Sequence, residues 1–90
     1  MEVRYFADIR PLAGTIEEER TSVPPTVNDL LAVLSAEKGP AFENRVFPGG
    51  KLSDTMIILV NGRNILHLNG VLTPLNPDDV VAVFPMVAGG

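Results

Sequence analysis

The sequence contains no cysteine, no tryptophan and a single histidine. Without cysteine there can be no disulfide framework, thiolate metal site or cysteine nucleophile, which fits a reducing compartment. His67, the one histidine, has no His or Cys partner with which to hold a metal, and it reads as a structural or solvent-facing residue of a strand. Positive charge is also scarce. Seven Lys and Arg stand against eleven Asp and Glu, a formal net charge of -4, which removes the electrostatic footprint expected of a binder of nucleic acid or anionic membrane. A basic partner is the more natural one. No run approaches the roughly 18 apolar residues of a membrane span, and Met1-Glu2-Val3-Arg4-Tyr5-Phe6 lacks the basic-then-apolar order of a secretory signal. The chain is expected to be cytoplasmic and complete. No glycine-rich stretch follows a strand and opens a helix, so no nucleotide site is indicated on this chain.

What is present is a globular composition, 46% hydrophobic and 20% charged over 90 residues. That length holds one domain and one core. Glu2 to Ala7 alternates polar and apolar residues, which predicts a strand with Val3, Tyr5 and Ala7 inward and Phe6 outward. Asp8 to Gly14 reads as a turn in which Pro11 starts one helical turn and Leu12 reaches the core. Arg10 either ties this turn to the sheet or meets a partner. Thr15 to Val23, with Glu17-Glu18-Glu19 at its centre, is expected as a charged edge strand. The glutamates read as a solvated face rather than a contact for a basic groove.

The clearest helix spans Val27 to Lys38. Thr26 caps it, Asp29 follows three residues later, Pro24-Pro25 prevents an earlier start, and Gly39-Pro40 stops it. Val27, Leu30, Leu31 and Leu34 form one apolar stripe. Ala41 to Phe47 suggests a further helical turn, followed by a Pro48 to Lys51 loop. Met56 to Val60 is uniformly apolar and reads as a well-covered strand. Asn61-Gly62 predicts a hairpin into Arg63 to Leu68. Asn69-Gly70 marks another turn, Leu72 to Asp79 is a loop in which Asp78-Asp79 serve turn and capping roles, and Val80 to Phe84 is the last strand.

The order predicts an α+β fold, a mixed sheet of four to five strands with one main helix on one face. Its domain would span 1–84, leaving 85–90 as a tail. If the first and last strands pair in parallel, Val81 and Val83 face the helix. Phe84 then shares the opposite side with Phe6, making an aromatic patch beside the root of the tail. Such a patch marks an interaction site, unless the Phe42 to Phe47 segment covers it. The flexible tail ends in Gly89-Gly90, a carboxylate on backbone without side chains that can enter a narrow cleft. The carboxylate is ionised at neutral pH and must be activated, as ATP does by forming an acyl-adenylate. The alternative is an ordinary frayed end.

These residues together resemble the ubiquitin-like sulfur carriers of the MoaD/ThiS type, and most closely the MoaD branch. The similarity rests on Val3 to Arg10 with Leu12 and Gly14, on Pro24 to Val27 with Leu30 and Leu31, and on Val60-Asn61-Gly62. It is strongest at the end, in Leu72-Thr73, Asp79, Val81, Phe84-Pro85 and Gly89-Gly90. The resemblance implies a β-grasp fold whose Gly90 carboxylate is adenylated by an E1-like (MoeB-like) adenylyltransferase using ATP and Mg²⁺, then converted to a thiocarboxylate. It implies no cofactor on this chain, and no independent catalytic activity. As small subunit of molybdopterin synthase, the chain would donate sulfur inside a MoaE-like large subunit for molybdenum cofactor biosynthesis. Phe6 and Phe84 match the family's docking positions, with Met86 and Val87 as tail contacts. The alternative is a ubiquitin-like modifier joined through Gly90 to target lysines. Pro11 in place of a frequent acidic residue, and a longer Thr73 to Asp79 loop, depart from the pattern.

Overall fold

The computed structural model describes residues 1–86. Five strands form one sheet in the order β2-β1-β5-β3-β4. They are β1 (Glu2–Tyr5), β2 (Glu17–Glu19), β3 (Met56–Val60), β4 (Arg63–Asn64) and β5 (Val80–Pro85). β1 and β5 run parallel at the centre, with Val3 opposite Val81 and Tyr5 opposite Val83, while β2 on one side and β3 and β4 on the other are antiparallel to their neighbours. Among the described residues there are also three α-helices, α1 (Ile9–Ala13), α2 (Val27–Lys38) and α3 (Pro40–Val46), and short 3₁₀ turns. This is the ubiquitin-like β-grasp.

The longest helix has the expected bounds for local reasons. The Thr26 hydroxyl accepts from the Asp29 amide at 3.2 Å, which satisfies one otherwise orphaned donor of the first turn. Gly39, at φ 99°, then lets the chain leave α2 and start α3 at Pro40. Val27, Leu30, Leu31 and Leu34 are all fully buried against Val3, Tyr5, Ile58, Val81 and Val83. Each such leucine contributes about 2 to 5 kcal/mol by the measure of truncation to alanine. Phe42 of α3 fills the rest, meeting the Tyr5 ring edge-on at 6.1 Å.

The hairpin after β3 follows from its two central residues. Asn61 at φ 53° and Gly62 at φ 81° adopt the left-handed conformations that a tight turn between twisted strands requires. The Asn61 side chain then donates from Nδ2 to Asp79 Oδ1 at 2.8 Å and accepts at Oδ1 from Val80 N at 2.9 Å. Asp79 also accepts from Asn76 N at 2.8 Å, so the carboxylate serves the turn, as expected. The long loop is fixed to the start of α2, because Val27 N donates to the Thr73 carbonyl and Leu75 N to the Pro25 carbonyl.

Several expectations are corrected. The strand after the hairpin ends at Asn64, and Ile65–His67 forms a single tight helical turn capped by the Asn64 side chain. His67 is therefore on an exposed turn rather than in a strand. Ala7 does not point inward, because its positive φ of 52° swings the backbone out of the strand, and it is exposed. Ile9 takes the core position instead. The Glu17 to Glu19 run is a short edge strand, yet Glu18 is not merely solvated. Its carboxylate meets Lys38 Nζ at 2.6 Å, the Arg20 guanidinium, and the Tyr5 hydroxyl at 3.1 Å. Burial opposes ionisation of Glu18, and the hydrogen bonds from Lys38, Arg20 and Tyr5 outweigh it, holding the carboxyl below the ordinary glutamate range.

Candidate functional site

The α2 side of the sheet is sealed, whereas among the described residues no helix lies over the other side. Alternation puts Phe6, Leu59, Ala82 and Phe84 there, and with Ala7 and Pro85 they line an almost wholly apolar groove of about 390 Å³. Phe6 and Phe84 lie at the ends of the two central parallel strands. Their rings meet edge-to-face with centroids 5.8 Å apart, a favoured aromatic geometry. Phe6 N continues the ladder by donating to the Val83 carbonyl at 3.1 Å, and its side chain remains 37% exposed.

Phe42, Val46 and Phe47 are all buried in the core, so the segment that would have covered the groove points elsewhere. Arg10 does tie its turn to the sheet, since Nε donates to the Tyr5 carbonyl at 3.0 Å. Its guanidinium also stands 5.6 Å from the Phe6 ring centroid, which puts a cation at the rim of the groove.

β3 is less covered than its composition implied. Met56, Ile58 and Val60 are buried, but Ile57 and Leu59 are only half-buried on the open face. The reason is that, among the described residues, no helix packs over that side. Ile57 sits opposite Phe84 and carries the apolar surface into a second groove of about 350 Å³ that includes Leu52, Ile65, Leu66 and Met86. Leu66 is 77% and Met86 52% exposed. Sequence reasoning missed Ile57, Leu59 and Leu66. The uninterrupted apolar run pointed the other way, because a strand buried on both faces reads as such a run.

Met86, the last described residue, is anchored by its backbone amide to the Thr55 carbonyl at 2.7 Å. Val87, Gly89 and Gly90, expected as tail contact and reactive terminus, lie outside the described residues. A larger cleft of about 470 Å³ with a mixed polar and apolar lining lies at the opposite end of β5, among Asn61, Arg63, His67, Leu68 and Asp79. Both Asp79 oxygens are already engaged there. Among the described residues no three His, Cys, Asp or Glu side chains are placed to hold a metal ion, and no helix is long and apolar enough to cross a membrane.

The model of the ThiS family matches residues 3–90. Small archaeal modifier protein 3 of Haloferax volcanii is 37% identical over 91 residues, covering 100% of this chain and 98% of that protein. A putative sulfur carrier protein of Archaeoglobus fulgidus is 42% identical over 90 residues, again covering 100% of this chain and 98% of the relative. Among solved structures, small archaeal modifier protein 1 of Methanosarcina acetivorans superposes with a TM-score of 0.82 at 34% identity, covering 99% of this chain and 94% of that one. With the β-grasp sheet and its uncovered aromatic face in place, the chain belongs to the ThiS family of ubiquitin-like, MoaD/ThiS-type proteins.

Proposed function

We propose that this protein is a ubiquitin-like modifier whose Gly90 carboxylate is activated by an E1-like enzyme and joined to lysines of other proteins. The observation that carries the reading is the position of the Phe6–Phe84 groove, at the same end of the sheet from which the chain leaves toward its terminus. A partner seated on that groove is near the residues that lead to Gly90. ATP and Mg²⁺, held by the partner, supply the adenylation. The amine of a target lysine then attacks the acyl carbon, adenylate leaves, and the amine proton passes to solvent.

The groove supplies the docking energy. Its apolar lining and edge-to-face ring pair suit a hydrophobic anchor on the activating enzyme, with Arg10 at the rim for a polar contact. The absence of side chains at Gly89 and Gly90 suits a narrow activation channel. The similarity to a small archaeal modifier over the full chain favours this reading.

Sulfur carriage is the second reading, favoured by the similarity to a putative sulfur carrier. In it the same adenylate is attacked by sulfur and Gly90 ends as a thiocarboxylate, which needs no thiol on a chain without cysteine. Donation to a pterin within molybdopterin synthase is its finer form. One experiment separates the outcomes. The full chain is incubated with cell extract, ATP and Mg²⁺ and analysed by intact mass and by peptide mapping. Attachment of Gly90 to lysines of other proteins supports modification. A gain of one sulfur for one oxygen with no attached proteins supports carriage, and an unchanged mass contradicts both.

A further inference from the structure

A modifier whose terminus reacts with amines carries amines of its own, and this chain has only three: the α-amine of Met1 and the ε-amines of Lys38 and Lys51. Two of them are occupied. The Met1 ammonium lies 3.3 Å from Glu19 Oε1 and donates to the Arg20 carbonyl at 3.1 Å, and the Met1 side chain is inaccessible. Lys38 Nζ is 2.6 Å from Glu18 Oε2 and 5.7 Å from the Tyr5 ring centroid, with 16% of its side chain exposed. An amine held this way must break a charge-assisted hydrogen bond and leave its site before it can attack.

Lys51 differs in every respect. It is exposed, as are Pro48, Gly49 and Gly50 before it. Among the described residues no carboxylate is within ion-pair reach of it. Gly49 and Gly50 turn the chain outward with φ 64° and 81°, and a Cβ at either would meet nothing within 4 Å, so a bulky activating complex meets little obstruction there. The loop's base is nonetheless fixed, by Lys51 N to the Pro48 carbonyl at 3.2 Å and Ser53 N to the Val46 carbonyl at 2.9 Å. It presents one nucleophile from a defined place.

We propose that Lys51 is the acceptor through which one copy of this protein is joined to the Gly90 of another. The inference rests on the modifier reading. In the step, the neutral Lys51 amine of one copy attacks the acyl carbon of the other copy's Gly90 adenylate. The new C–N bond replaces the bond to phosphate, adenylate departs, and the amine proton goes to solvent. Each copy then offers one donor terminus and one acceptor, so the linkage repeats head to tail. The products are unbranched and of a single linkage type.

The test uses the untagged full chain with cell extract, ATP and Mg²⁺, compared with the Lys51→Arg and Lys38→Arg variants. The wild type is expected to give species of twice the chain mass less one water, and higher multiples. Lys51→Arg should abolish them while its attachment to other proteins continues, and Lys38→Arg should leave them in place. Self-linked species that persist in Lys51→Arg, mapped to Lys38 or Met1, overturn the inference. So does a wild type that modifies other proteins but never itself. If nothing is attached to any lysine, the modifier reading fails first and this inference falls with it.

Discussion

The two faces of the central strands are made of nearly the same residues and have opposite fates. On one face Val3, Tyr5, Ile58, Val60, Val81 and Val83 are sealed beneath α2 and α3. On the other Phe6, Ile57, Leu59, Ala82 and Phe84 form apolar surface with no helix over it among the described residues. Burial of a side chain such as valine or phenylalanine returns about 1.5 to 3 kcal/mol relative to exposure, so the covered face carries the stability of the fold. The open face returns little to stability and raises the hazard of association. Recognition is the role we propose for its residues, and variants on the two faces should separate folding from function.

The largest expected effect comes from the covered side. Phe42→Ala leaves a cavity against Tyr5 and is expected to cost about 3 to 5 kcal/mol in urea unfolding. That is a large fraction of the total for a domain of this size. On the open side, Phe84→Ala should lower attachment to other proteins by about tenfold to thirtyfold, the effect of losing a central interface anchor. Its unfolding free energy should change by only about 1 kcal/mol. If Phe84→Ala unfolds the protein, or leaves attachment intact, the division between the faces is broken.

The edge network gives a smaller effect. Glu18→Gln weakens the hydrogen bonds from Lys38 and Arg20 while Arg20 keeps Glu37 at 2.6 Å, and is expected to cost about 1 to 2 kcal/mol. The smallest effect is its pH dependence. The Glu18 carboxyl titrates lower in the folded state than in the unfolded chain. Its contribution is therefore complete above the ordinary glutamate value of about 4.3 and fades as pH falls through the lower folded value. Unfolding curves of the wild type and Glu18→Gln should converge below that range. In the alkaline range burial and the Glu18 charge raise the Tyr5 phenol, so its neutral form is favoured by folding. That stabilisation should be lost as pH rises above the ordinary tyrosine value of about 10, and Tyr5→Phe should remove the loss.

Legibility in the sequence tracked how local the cause was. α2 was readable to the residue because Thr26, Pro24-Pro25, Gly39 and the leucine spacing are all local signals, and the same holds for Asn61-Gly62. The parallel pairing of β1 with β5 and the aromatic patch followed from alternation once the strands were placed. What escaped was set by distant packing. Nothing near Met56 to Val60 announces that only one face will be covered, and nothing near Glu18 announces Lys38, twenty positions away. The brevity of β4 depends on the turns that follow it, whose apolar Ile65 is drawn into the core.

On the proposed reading Gly90, directed by the open face, is transferred to lysines. Cyanogen bromide cleaves after Met86 and leaves Val-Ala-Gly-Gly on each acceptor, so mass spectrometry of proteins co-purified under denaturing conditions reads the transfer directly. Lysines bearing this tetrapeptide are expected in cells making the wild type, fewer with Phe84→Ala, and none when Gly90 is deleted. Wild-type cells without a single lysine so modified would contradict it.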